Sequence, residues 1–311
     1  VNDRSRILEW EGSRLGPAGF ATFGAVALII ASAFVIGGIS GDGDAEVLRS
    51  VHEHSSSLTL SSILQAGGFL LLVAPLVVLF RAAAARSDRM RHQLIGLVVA
   101  APIFLAVSGV LTGIATNDAA SSFVAGEAKP GITVKEAAKE CQSELRDLGA
   151  EEFGEEFGGG SQADALKQCG QTTYEDEEAS EAIGDSSLHG AAIGFGLGGR
   201  LGLAVALLYS CLFAMRVGLL TRFWGSLGMA LGVAALLLRV EFTMIWFIYF
   251  GLLLIGRLPG GRPPAWAAGE AIPWPTPGEK AAESLEGEGS DESDSGDAGD
   301  AGERRKRKQR D

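Results

Sequence analysis

Arg200 is the one charged residue in the apolar stretch from Ala191 to Met215. An ionisable side chain at membrane depth is a functional candidate by default, because lipid solvates it poorly. Counted along a helix from Arg216, it stands about 24 Å up the segment. The next apolar stretch climbs about 25 Å from Arg222 to Arg239, so Glu241 is expected at the level of Arg200. An Arg200–Glu241 ion pair closing the bundle is the first expectation. Two others stay open: Arg200 reaches out to the headgroups, or it forms a substrate or ion site with Glu241 and Gln65.

Cys141 and Cys169 flank a stretch of loop expected on the oxidising side of the membrane, which points to a disulfide. Closing about 28 residues would stabilise that loop by about 3–4 kcal/mol. Cys211 lies inside an apolar stretch and reads as a small inert side chain. His52 and His54, one residue apart, could share a metal on an extended backbone, with His189 completing an open zinc site. Solvated histidines are the plainer alternative. The acids of 151–156 lack the ligand ladder and glycine of a calcium loop and read as a solvated face.

Gly190, Gly194, Gly198, Gly202, Ala206 and Ser210 recur every fourth residue. Such a smooth stripe lets a neighbouring helix approach closely, within this chain first and across a homodimer second. Gly109, Gly113, Gly228 and Gly232 offer matching faces. Gly194, Gly196 and Gly199 fit a dinucleotide fingerprint in spacing only, since no strand precedes them.

These residues hang on six apolar stretches: Ala18–Ile39, Leu58–Phe80, Leu94–Ala115, Ala191–Met215, Phe223–Leu238 and Phe242–Ile255. The pattern makes lipid the solvent. The first is too long for a signal-peptide core and reads as an anchor. The last two are separated only by residues 239–241 and are expected to form a tight hairpin. A single helix across both would run about 50 Å, longer than a hydrocarbon core of about 30 Å.

Charge is segregated. The chain carries a formal net charge of −12. Residues 116–188 alone hold 17 Asp and Glu against 5 Lys and Arg. Basic residues instead gather before the first stretch, between the second and third (Arg81, Arg86, Arg89, Arg91), and after the sixth. That bias puts both termini in the cytoplasm and residues 116–190 outside the plasma membrane. The balance excludes a basic nucleic-acid surface, and the Ala, Gly and Arg usage is that of a GC-rich bacterium.

The domains follow as an interfacial segment over 1–17, helices one to three over 18–115, an acidic loop over 116–190, helices four to six over 191–256, and an inner segment and tail over 257–311. In the loop, Thr133 and Glu136 form a capping box opening a helix to about Leu148, and Ser161 opens a shorter one to about Gln168. Trp266 and Trp274 are expected at headgroup depth in an extended Pro-rich segment. Beyond Pro277 the Gly/Ser/acid-rich tail is expected to be disordered, ending in a basic run, 304–310, that could meet anionic lipid.

Residues 221–232 and 242–251, with the Arg-Pro-Pro-Ala-Trp-Ala-Ala-Gly-Glu stretch at 262–270, resemble six-span integral membrane proteins of actinobacteria. The resemblance covers the last two spans and their exit. It implies a six-span membrane bundle and supplies no catalytic residue, because that group has no established activity.

The expected fold is all-α, a polytopic membrane bundle of six transmembrane helices with a mostly helical outer insertion. No nucleophile–base pair or phosphate loop names a reaction, and no cofactor is expected. The leading functional expectation is a non-enzymatic platform presenting the outer loop for binding or sensing. The alternatives are a small transporter or channel with a polar site near Arg200, Gln65 and Glu241, and an outer-facing metal enzyme using His52, His54 and His189.

Overall fold

The computed structural model describes residues 3–148, 162–238 and 240–275. The acidic repeat of 151–157, Arg239 and the tail with its basic run lie outside the described residues. Among the described residues every regular element is helical. The chain forms two compact units, Val1–Ile272 and Pro273–Asp311. Trp274 belongs to the second, of which only 273–275 are described.

The long helices are α1 (Asp3–Ile36), α3 (Ser55–Ala84), α4 (Ile95–Val124) and α7 (Ser187–Arg216). α2 (Asp44–Glu53) links α1 to α3. α5 (Val134–Leu148) and α6 (Gln162–Asp185) stand between α4 and α7. α8 (Arg222–Leu237), a 3-10 turn (Val240–Thr243), α9 (Met244–Ile255) and the short α10 (Pro264–Ala268) complete the order.

Four of these helices, α1, α3, α4 and α7, are long and apolar enough to cross a membrane. Their outward faces are greasy: Phe20 is 70% exposed and Phe34 81%. Water would penalise such a surface and lipid would not. α8 and the Val240–Ile255 segment are apolar but shorter. At 16 residues, α8 reaches only about 24 Å.

The helices form a ring in which α1 packs on α3, α3 on α4, α4 on α7, α7 on α8 and α9 on α1. α8 and α9 run antiparallel as the sequence predicts. The Trp224 ring stacks on Tyr249 at 3.6 Å, and the Trp246 indole N–H donates to the Trp224 carbonyl at 2.9 Å. Thr221 caps the start of α8, accepting from the Trp224 amide.

At the end where α1 begins, here the arginine end, one ion pair is buried. The Arg86 guanidinium clamps both carboxylate oxygens of Glu11 and donates to the Ala265 carbonyl. The two side chains are 0% and 2% exposed. Arg86 also lies over the Trp266 ring. Trp266 is therefore a core residue, 3% exposed, donating to the Leu219 carbonyl at 2.9 Å. This corrects its expected headgroup position. Pro263 and Pro264 start a helical turn rather than an extended run, and that turn carries the indole inward. The separate interfacial segment also gives way to a single helix, α1, with Pro17 inside it.

The opposite, disulfide end carries a cap. α2, unread in the sequence, buries Ala45, Leu48 and Val51 against Ala119, Phe123 and Ala179. Asp176 accepts from the Ala45 amide at the start of α2, and Arg49 meets Glu175 at 2.5 Å. α4 runs nine residues past the expected Ala115, and α6 runs well past Gln168. Their acids line a helix, for which glutamate has good propensity. The Thr133 amide and hydroxyl both donate to Glu136, so the reach-back half of the capping box is present. That contact holds the Glu136 carboxyl below its ordinary value. Cys141 and Cys169 are joined in a disulfide, with Cα atoms 6.0 Å apart. Cys169 sits within α6 rather than after it.

Candidate functional site

A cavity of about 240 Å³ lies between α3, α4 and α7, with the tip of the α8–α9 hairpin contributing Val240 and Glu241. Its polar lining comprises Ser61, Ser62 and Gln65 from α3, Ser108 and Thr112 from α4, Arg200 from α7, and Glu241. Leu58, Phe69 and Leu105 supply apolar wall. A second cavity of about 310 Å³ shares Ser108, Thr112 and Arg200, and adds Thr116 and His189. Arg200 thus stands between two spaces.

The hairpin explains the space. Its helices are too short to fill the ring's full height, so the interior of the ring keeps room in its disulfide-end half and is filled by side chains in the other. In the filled half, Leu203, Leu207 and Trp246 are fully buried. α4 turns small residues toward α3: a Cβ on Gly113 would come within 2.1 Å of the Ser62 hydroxyl, and one on Gly109 within 3.4 Å of the Gln65 amide oxygen. The glycines of α4 therefore make room for the polar face of α3, not for the α7 stripe.

Three serines spend their protons on backbone. Ser61 donates to Ser32, Ser62 to Leu58 and Ser108 to Ala192, at 2.8–2.9 Å. Their oxygens remain acceptors. The expected Arg200–Glu241 pair is brought to one cavity, yet no contact within 4 Å joins the two among the described residues. Gln65, Arg200 and Glu241 all lack a side-chain hydrogen-bond partner among the described residues. The arrangement is two opposite charges and an amide facing a shared space at the edge of an apolar bundle.

The stripe on α7 packs only in part. Gly198 meets Phe104, Gly202 meets Ala101, and Ala206 and Ser210 are buried. Gly190 and Gly194 meet no neighbour within 4 Å. Residues four apart drift about 40° round a helix each step, so a strict fourfold repeat turns off its neighbour. The real seam mixes threes and fours: Gly196 meets Ser108 and Gly199 meets Leu105. Gly228 makes room for Trp246 and Cys211, and Gly232 for Leu207.

The histidines do not converge. His52 and His54 sit at the end of α2 and in its cap, not on an extended strand. Helical residues two apart point to nearly opposite sides. His54 Nδ1 is 3.0 Å from the Ser50 carbonyl, while His189 lines the second cavity. No group of three His, Cys, Asp or Glu that could hold a metal occurs among the described residues.

Sequence reasoning missed the Glu11–Arg86–Trp266 cluster. A signal existed. The buried positions of α1 (Leu15, Ala18, Thr22, Ala25, Ile29) recur at helical spacing, and extending that face backwards lands on Glu11. No protein-family model, curated protein or solved structure matches this chain.

Proposed function

We propose that this is a six-span plasma-membrane protein, both termini cytoplasmic, that binds a small zwitterionic solute between Arg200 and Glu241. The observation that carries this reading is the convergence of Arg200, Glu241 and Gln65 on one cavity without mutual pairing. A guanidinium suits a carboxylate, the Glu241 carboxylate suits an ammonium, and Gln65 with the hydroxyl oxygens completes the polar lining. A polar group at membrane depth tolerates this placement where it lines a water-accessible space. The short α8–α9 hairpin counts as spans five and six in this reading.

The test is binding of a panel of small amino acids to the purified full-length protein, read by thermal shift, with Arg200→Ala and Glu241→Gln compared. Stabilisation by a zwitterion that both variants lose supports the proposal. Equal stabilisation of both variants, or none by any zwitterion, sinks it.

The platform reading draws on a different observation, the disulfide-closed α5–α6 pair with its own small core of Cys141, Ala165 and Cys169. We place it second, because α6 is docked on α2 and α4 and so serves as a lid on the bundle. Exchange of residues 130–170 that abolishes capture of an outside partner, with solute binding intact, would reverse the ranking.

A further inference from the structure

The arginine end holds a second pocket, separate from the cavity beside Arg200. A pocket of about 770 Å³ lies between the first turns of α1 (Arg6, Ile7, Trp10), the last turns of α3 (Arg81, Ala84, Ala85) and His92. None of these lining residues is a carboxylate. We propose that this pocket binds the phosphate-bearing headgroup of an anionic phospholipid.

The arginines of this end differ in what they already touch. Arg86 is neutralised by Glu11. Arg4 reaches Glu270 and the Ala268 carbonyl. Arg262 donates to the Leu253 and Leu254 carbonyls at the end of α9. Arg81 is otherwise placed. Its guanidinium lies over the Trp10 ring, 5.9 Å from the centroid. It makes no hydrogen bond or ion pair among the described residues. An aromatic face holds a guanidinium in position and leaves its N–H edges open to an oxyanion. Phosphate oxygens are the geometric match for that fork. Arg6 and His92 line the same pocket.

The pocket's surroundings choose a lipid over a soluble phosphate. On α3, Val77, Ala74 and Leu70 continue the face of Arg81 at helical spacing, away from the pocket and into the apolar belt. Leu70 is 50% exposed. A headgroup held by Arg81 would have its acyl chains lie along that track. In a bilayer Trp10, which lines the pocket, would sit at the polar–apolar boundary where indoles settle. Basic pockets between helices at this level are known devices for holding acidic headgroups. The inference needs only that α1 and α3 lie in a bilayer, so it stands or falls apart from the solute reading.

The full-length protein in a neutral detergent would be titrated with phosphatidylglycerol, phosphatidylcholine or inorganic phosphate, and the unfolding temperature followed. Phosphatidylglycerol should raise it, phosphatidylcholine much less, and inorganic phosphate not at all. Arg6→Gln with Arg81→Gln should weaken the phosphatidylglycerol response by at least about tenfold in concentration. A full-length chain with the basic residues of 304–310 changed to Gln should respond as wild type does. The proposal is overturned if the tail variant loses the response while the pocket variant keeps it. It is equally overturned if phosphatidylcholine matches phosphatidylglycerol, or if phosphate alone reproduces the shift. Should the double variant fail to fold, native mass spectrometry of the wild type and of Arg81→Lys decides. Wild type must retain phosphatidylglycerol over phosphatidylcholine, and Arg81→Lys, which keeps the charge but not the fork, must retain less. Equal retention of both lipids by wild type, or equal phosphatidylglycerol retention by the two proteins, contradicts it.

Discussion

Two arginine–glutamate couples stand at opposite halves of this bundle, and they are built differently. Arg86 and Glu11 touch, are buried, and share a carbonyl and an indole with the segment after α9. Arg200 and Glu241 face one cavity and do not touch. In the first couple every charge is answered within the protein, so it fastens α1, α3 and α10 together. In the second no side chain among the described residues answers either charge. The residue types are alike, and the surrounding packing decides which couple is structural and which is available. At the arginine end, large side chains fill the ring. Toward the disulfide end, a cavity remains between α3, α4, α7 and the turn at Val240 and Glu241.

The sharpest way to break this contrast is to remove one partner from each couple. Arg86→Ala leaves Glu11 charged and buried, which costs about 3–5 kcal/mol. Reversible unfolding in mixed micelles would measure it, and a loss below about 1 kcal/mol would make the pair incidental. Arg200→Ala strands no contact, so its effect on the same measurement should stay within about 0.5 kcal/mol.

The cap gives the next largest effect. Cys141→Ser should destabilise the α5–α6 pair by about 3–4 kcal/mol, seen as faster proteolysis within 130–170 while the bundle's own unfolding is little changed. A common shift of both would merge cap and bundle into one cooperative unit. Gly113→Ala probes the cavity wall, because its methyl would collide with Ser62. A cost of about 1–3 kcal/mol is expected. A neutral outcome would mean that α3 and α4 are not held at this spacing.

The smallest effect is in pH. The hydrogen bond from Arg49 holds the Glu175 carboxyl below its ordinary value of 4.5, against a lesser opposing effect of burial. A carboxyl lowered in the folded state adds stability that is complete above its unfolded value and fades as pH falls through its folded one. Docking of α2 on α6 should therefore hold at neutral pH and weaken only below 4.5. Hydrogen exchange of the α2 amides would follow it, and Arg49→Gln should remove the pH dependence.

Much of this fold could be read without coordinates, for identifiable reasons. Apolar length gave α3, α4 and α7, since a bilayer demands it. Two cysteines in an acidic loop gave the disulfide, and spacing gave the Thr133–Glu136 contact. The shared depth of Arg200 and Glu241 followed from helical rise alone, but their failure to touch did not, because side-chain reach depends on what fills the space between. The Glu11–Arg86 couple was illegible for another reason. Its partners are 75 residues apart in sequence, and each sits among other charges that are exposed. α2 was hidden in a polar stretch whose apolar positions, Ala45, Leu48 and Val51, span too few turns to stand out.

The central claim is that the space beside Arg200, Glu241 and Gln65 is open to water and polar solutes. Gln65→Cys tests it directly, since Cys211 is buried and the other two cysteines are bridged. In the folded, reconstituted protein, a small charged thiol reagent should modify the new cysteine rapidly and leave Cys211 untouched. Labelling of Gln65→Cys no faster than that of Cys211 would contradict the account.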